Sequence, residues 1–190
     1  IVQLLKGSAK LEAVKAVAPS PLAADFARGQ GVPLVPELGA ALADREVDAV
    51  VLCTPHSLHT DQIVAAANAG KHVFCEKPLS LSRAEVLRAI GAVKVNGVQL
   101  AVGHEKRFEP PMVELARLAE AGALGTLLQI EANFSQDKFL SMPADNWRLS
   151  TKEAPAGPLT ATGIHLVDLS VRFMGPASSL YASVKQLADE

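Results

Sequence analysis

The sequence predicts an α/β fold. A parallel sheet is expected over residues 1–103, followed by an α+β part with an antiparallel component. Three observations carry this. Residues 47–78, VDAVVLCTPHSLHTDQIVAAANAGKHVFCEKP, read as strand, turn, helix and strand. About five strand-like runs alternate with helix-like segments before residue 103, which is the pattern of repeated βα units. Beyond that point the alternation lapses.

The 47–78 stretch organises the rest. Residues 47–53 form an apolar run broken only by Asp48, which suits a strand covered on both faces. Thr54 and Pro55 end it, and Ser57 or Thr60 is placed to cap the next helix. Helical spacing brings Leu58, Ile63, Val64 and Ala67 onto or near one face. Gly70 suits the end of that helix, and Lys71 sits where it favours the C-terminus. A second strand from His72 to Cys75 runs into Glu76-Lys77-Pro78. Ligands of open α/β sheets gather at the carboxyl ends of strands. The two ends here carry Thr54, His56, Glu76 and Lys77.

The other elements follow in order. Residues 1–5 look like the end of a helix closed by Lys6 and Gly7. Residues 11–17 read as a strand, 21–28 as a helix, 32–35 as a short strand and 36–42 as a short helix. Asp44-Arg45-Glu46 turns the chain into the organising strand. Ser82 with Glu85 is a capping-box pattern opening a helix over 83–95. Asn96-Gly97 is a turn, and 98–102 is another strand ending at Gly103-His104. A helix is expected over 110–121 and a longer strand over 126–133. Residues 135–156 are polar, with the single Trp147. A segment over 159–173 becomes helical toward its end, and 179–187 reads as a last strand. The boundary between the two parts falls between residues 103 and 110.

Composition excludes several classes. The 190 residues are 49% hydrophobic, which places the chain among globular proteins rather than disordered ones. A formal net charge of −2, with no run of Lys or Arg, gives no electrostatic basis for nucleic-acid binding. No apolar run is long enough to span a membrane. Cys53 and Cys75 make no disulfide framework; both are expected as buried thiols, and a reducing cytoplasm is the default. Aromatic residues make up only 4%, so the core is expected to be Val, Leu, Ala and Ile.

Candidate chemistry centres on a few side chains. Lys77 precedes Pro78, which restricts it to extended geometry at a strand end. A positioned ammonium there can bind an anion, donate to a carbonyl or alkoxide, or act as acid/base. The competing reading is a surface lysine paired with Glu76. His165 lies three residues before Asp168, so a helix gives them one face. Asp168 could orient the imidazole as a general base, or the two could form a satisfied structural pair. His56, His59 and His104 fall near strand ends, but no ligand spacing ties them into a metal site. Capping, or hydrogen bonding to a ligand, is the expectation for them. Arg107 and Arg148 are anion-binding candidates. Trp147 could wall a pocket or belong to a satellite core. No P-loop, GxSxG, CxxC or nucleotide-binding glycine fingerprint occurs.

TPHSLHTDQIVAAANAGKHVFCEKPLSLS resembles the central segment of the Gfo/Idh/MocA family of NAD(P)-dependent oxidoreductases. The likeness extends to GHEKRF, NWR and GPLTATGIHLVDL. It implies a Rossmann-like domain over 1–105 and part of a C-terminal substrate and oligomerisation domain with a largely antiparallel sheet over 106–190. It implies hydride transfer between NAD or NADP and a hydroxyl or carbonyl of a sugar, inositol or related polyol, in a homo-oligomer. Lys77 and His165 would be catalytic. Thr54, Pro55, His59, Glu76 and Lys77 would bind cofactor. Arg107, Trp147, Arg148 and Asp168 would meet substrate.

Three departures from the family pattern shape these expectations. The opening strand, glycine loop and most of the first helix are expected to be missing, as is most of the second domain's sheet. Ala161 stands where many members have an aspartate four residues before the histidine. Ala18-Pro19-Ser20, with no acid, leans toward NADP. A non-catalytic ligand-binding relative and an NAD-assisted glycoside hydrolase or lyase are the rival readings.

Overall fold

The computed structural model describes residues 1–183 and 185, and these divide into two compact units. The first holds residues 1–54, 58–75 and 82–101. The second holds residues 55–57 and 76–81 and the described residues from 102 onward.

In the first unit the order is α1 (Val2–Lys6), β1 (Ala16–Val17), α2 (Pro21–Gln30), β2 (Leu34–Val35), α3 (Leu38–Leu42), β3 (Ala49–Leu52), α4 (His59–Asn68), β4 (His72–Cys75), α5 (Arg83–Val95) and β5 (Leu100–Val102). β1 and β2 pair in parallel, with Ala16 opposite Leu34. β3, β4 and β5 form a separate sheet in that order. β3 and β4 are parallel, from Ala49 opposite His72 to Leu52 opposite Cys75. α4 and α5, the connections either side of β4, pack on each other. Ala66 and Ala67 of α4 and Ala89 of α5 are fully buried. Side chains this small let the helix backbones approach closely. Ile63 is also fully buried, and the inward side chains Leu52, Val73 and Cys75 of the sheet are buried with it. Burying an isoleucine contributes about 1.5–3 kcal/mol.

Local signals set several boundaries. Ser82 Oγ accepts from Glu85 N at 3.3 Å, so the cap of α5 forms. The Glu85 carboxylate turns instead to Arg88, so only half of the capping box is made. Gly70 has φ 72°, a conformation glycine adopts without penalty, and Lys71 N closes α4 on Ala66 O at 2.9 Å.

Other expectations are corrected. β3 and β4 are not covered on both faces. Burial alternates, with Val50, Leu52, Val73 and Cys75 inside while Val51 and Phe74 remain 37% and 39% exposed. An apolar run does not report how many layers pack against it. Cys53, just past β3, is exposed rather than buried. The strand expected over 11–17 shrinks to two residues, the length over which β2 supplies a partner. Neither Ser57 nor Thr60 caps α4; its N-cap is Leu58, with no side-chain hydrogen bond.

The second unit contains short 3₁₀ turns at Glu105–Phe108, Lys138–Ser141 and Trp147–Leu149. It also contains α6 (Pro110–Glu120) and a π-helical turn, Leu159–Gly163, that runs into α7 (Ile164–Met174). The Glu105–Phe108 turn packs against both α6 and α7. The strand expected over 126–133 is not formed, and residues 179–183 carry no strand either. A ladder needs a neighbour, and none lies beside these segments among the described residues. The remainder of the expected 179–187 strand, except 185, lies outside the described residues. No helix of the described residues is long and apolar enough to cross a membrane.

Candidate functional site

The second unit gathers Lys77, the His104–Arg107 segment, the 147–153 loop and the start of α7. Lys77 follows β4 by two residues, and its bond to Pro78 is cis. Its ammonium donates to the carbonyl of Ala161, in the π-helical turn, at 2.5 Å. Burial pushes the Lys77 pKa below its ordinary value. The carboxylates of Glu105 and Glu76 oppose the shift, and Arg148 and Lys138 add to it. The surface-lysine alternative is therefore set aside: Lys77 is partly buried and anchored on a backbone carbonyl.

His165 opens α7 and is 4% exposed. Burial is the largest cause that lowers its pKa; Lys77, His104 and Lys106 act in the same direction, against Glu105. The imidazole is therefore neutral near pH 7, as a proton acceptor must be. Its Nε2 lies 3.6 Å from Glu105 Oε1. Its Nδ1 is buried without a hydrogen-bond partner among the described residues, as is Nδ1 of His104. The two rings meet edge-on, 6.1 Å between centroids at 90°.

Asp168 does not orient His165, as its spacing had led us to expect. It accepts two hydrogen bonds from Arg107, from Nε at 2.6 Å and Nη2 at 2.5 Å. His104 Nδ1 is 3.8 Å from Asp168 Oδ2, too far for a hydrogen bond. This bidentate pair also corrects the reading of Arg107 as an anion binder, because its fork is filled from within. The hydrogen bonds to Asp168 raise the Arg107 pKa still further. Spacing in a helix gave the shared face correctly. It could not show that a stronger partner, 61 residues away, would take the carboxylate.

Trp147 and Arg148 stack, with the Arg148 guanidinium 4.2 Å from the Trp147 ring centroid. Trp147 also meets His56 edge-on, 4.9 Å between ring centroids. His56 Nδ1 is 2.6 Å from the carbonyl oxygen of Glu153. The Glu153 carboxylate accepts from Ser57 N at 2.9 Å and from Ser57 Oγ at 2.6 Å. Glu153 is 7% exposed. Its burial works to raise the carboxyl pKa, but the Ser57 hydroxyl and amide, with His56 and Lys152, outweigh it and hold it below the ordinary value. These bonds occupy the Ser57 side chain that was expected to cap α4. Nothing in the polar STKEAP stretch marks Glu153 as buried.

In the first unit, Thr54 Oγ1 donates to Gln62 Oε1 at 2.6 Å, and the Thr54 carbonyl lies 3.0 Å from His59 Nε2. His59 is fully buried, so it holds the Thr54 turn and presents no surface to a cofactor. Glu76 packs against Gly103: a Cβ there would lie 3.0 Å from Glu76 Oε2 and 3.2 Å from its Cδ. Sequence reading passed over Glu105, Glu153 and the Ala161 carbonyl. The first two are acids in polar surroundings, and the third is a backbone group with no sequence signal at all.

Two family models match the chain, one after the other. The GFO/IDH/MocA oxidoreductase family, with an NAD-binding Rossmann fold, matches residues 2–104. A GFO/IDH/MocA C-terminal domain matches residues 112–190. The chain is 44% identical to the scyllo-inositol 2-dehydrogenase (NAD(+)) of Bacillus subtilis over 84 residues, 44% of this chain and 25% of the relative. It is 34% identical to D-xylose 1-dehydrogenase (NADP(+)) 2 of Haloferax volcanii over 152 residues, 79% of this chain and 45% of the relative. Among solved structures it is similar to the WlbA dehydrogenase from Bordetella pertussis in complex with NADH and UDP-GlcNAcA. That match has a TM-score of 0.87 at 26% identity, covering 100% of this chain and 55% of the other. The chain spans less than half the length of both curated relatives named here.

Proposed function

The chain belongs to the GFO/IDH/MocA family of oxidoreductases, and on that premise we propose that it carries the acid–base groups of an NAD(P)-dependent dehydrogenase or reductase. Its substrate would be a hydroxyl or carbonyl of a sugar, inositol or related polyol. In this reading residues 1–105 serve the dinucleotide and 106–190 the substrate and a homo-oligomer contact. The observation that carries the proposal is the pairing, within one unit, of a partly buried ammonium fixed on the Ala161 carbonyl with a buried, neutral His165.

The residues present suit the nicotinamide end of the cofactor, because removing hydride from a C–OH group requires a proton acceptor and a cation close to the same oxygen. Nicotinamide, when bound, takes up or gives the hydride. His165 Nε2 accepts the hydroxyl proton, since Nδ1 is enclosed. Lys77 stabilises the negative charge that grows on the substrate oxygen. Cofactor contacts are assigned to Thr54, Pro55, Glu76 and Lys77. Arg148, placed over the Trp147 ring, is assigned to an acidic or phosphorylated group of the substrate. Ser20, following β1 with no acid beside it, favours NADP over NAD.

The test is a fluorescence titration of the purified protein with NADPH and NADH, followed by a turnover screen over inositols, aldoses and sugar acids. Saturable micromolar binding of NADPH, with turnover that drops at least about a hundredfold in Lys77→Ala while cofactor affinity changes little, supports the proposal. Turnover unaffected by Lys77→Ala would sink it.

A further inference from the structure

His165 is nearly inaccessible to solvent, yet a base that takes one proton per turnover must return it to water. Nδ1 cannot do this, because it is buried and has no partner among the described residues. Nε2 faces Glu105 Oε1 at 3.6 Å. The Glu105 side chain is 59% exposed, so one end reaches a buried imidazole and the rest stands in water. The gap exceeds a formed hydrogen bond by about half an ångström. A glutamate on a surface turn closes that distance by a rotamer adjustment, and acid–base contacts are commonly long before substrate binds.

We propose that Glu105 is the positioning and relay residue of this site, passing the substrate proton between His165 Nε2 and bulk water. The proposal rests on the dehydrogenase reading above. In the oxidative direction the substrate C–H bond breaks and its electron pair leaves as hydride to the oxidised nicotinamide. The O–H proton goes to His165 Nε2; once the carbonyl product has left, Glu105 closes on that same Nε2–H, a carboxylate oxygen takes the proton, and the carboxylic acid releases it to water. One hydride and one proton leave the alcohol, and the imidazole and carboxylate return to their starting states. Reduction runs the same path backward.

The charged and titratable groups that act on His165 are Glu105, Lys77, His104 and Lys106. Lys77 is a cation held on the Ala161 carbonyl, and Lys106 is a cation bonded to Glu109. His104 turns its ring perpendicular to that of His165, and its own Nδ1 is buried. Asp168, beyond His104, is taken by the Arg107 fork. Glu105 is the one anion in this group. It also opposes the lowering of both the Lys77 and the His165 pKa, so a single carboxylate tunes the two groups assigned to the reaction.

The experiment uses the full chain labelled with ¹⁵N-histidine, with His165→Gln assigning the resonance. The His165 imidazole is titrated by NMR in the wild type, in Glu105→Gln and in a surface control, Glu114→Gln. Loss of the Glu105 charge moves the His165 midpoint to lower pH, and Glu114→Gln leaves it in place. This readout needs no turnover, so it stands even if the dehydrogenase reading fails. An unmoved His165 midpoint in Glu105→Gln overturns the proposal. With turnover in hand, Glu105→Ala lowers kcat roughly tenfold or more with little change in KM. Added formate or acetate restores kcat in proportion to its concentration. A kcat equal to wild type, or a loss that carboxylate buffers do not rescue, overturns the relay even if the midpoint moves.

Discussion

Replacing Glu153 by alanine tests whether one acid, far along the chain, anchors the Pro55–Ser57 segment. The side chain makes two bonds, from Ser57 N at 2.9 Å and Ser57 Oγ at 2.6 Å. Hydrogen bonds to a charged acceptor contribute about 1.5–3 kcal/mol each. Two effects reduce the sum: Ser57 is exposed, so its freed donors regain water, and the carboxylate no longer suffers burial. A net loss of about 2–3 kcal/mol remains. With a urea dependence of about 2 kcal/mol per molar, the midpoint should fall by about 1 M. Trp147 is the only tryptophan and meets His56 edge-on, so its fluorescence follows this unit specifically. The Glu153 backbone carbonyl still meets His56 in the variant, which keeps the probe in place. A double-mutant cycle with Ser57→Ala should give a coupling of about 1 kcal/mol or more. A midpoint shift below about 0.2 M, less than a fifth of the bonds' expected worth, together with no coupling, would refute the anchoring role.

Three further outcomes are expected. Arg107→Lys keeps the charge but loses the two-pronged bond to the nearly buried Asp168. It should cost about 1 kcal/mol in the same urea assay, and an unchanged midpoint would contradict the pairing. Gly103→Ala drives a methyl against Glu76 and should lower the unfolding free energy by about 1–3 kcal/mol through overpacking; a stabilised variant would show that the close approach is not required. The pH dependence has a defined sign. His165 and Glu153 both have folded-state pKa values below their ordinary ones, so their stabilising contribution is fully present above the unfolded values and is lost as pH falls. Stability should therefore decline below about pH 6.5 from His165 and decline again below about pH 4.5 from Glu153. His165→Gln should flatten the first step and leave the second. Persistence of the first step would assign it elsewhere.

The sequence was most informative where a local cause decides the outcome. The start of α5 at Ser82 and the turn at Asn96-Gly97 follow from a cap and a glycine. The Glu-Lys-Pro corner and the Gly-Ile-His segment were likewise singled out before their side chains could be placed together. Strands over 126–133 and 179–187 were legible as patterns, but a strand is a relation between two segments, and the described residues show no partner for them.

What the sequence determined by itself is the alternation of strands and helices in the first unit and its parallel pairing, which the structure divides between two sheets. Periodicity, capping and composition act within a few residues and are written in the chain directly. Only the tertiary structure decided which charge meets which. It gave Asp168 to Arg107 instead of His165, Ser57 to Glu153 instead of α4, and Lys77 to a backbone carbonyl. It also left Glu105 opposite His165 Nε2. Such pairings depend on distance and burial between segments up to 96 residues apart. Coulombic and hydrogen-bond energies respond to those distances, and no local pattern encodes them.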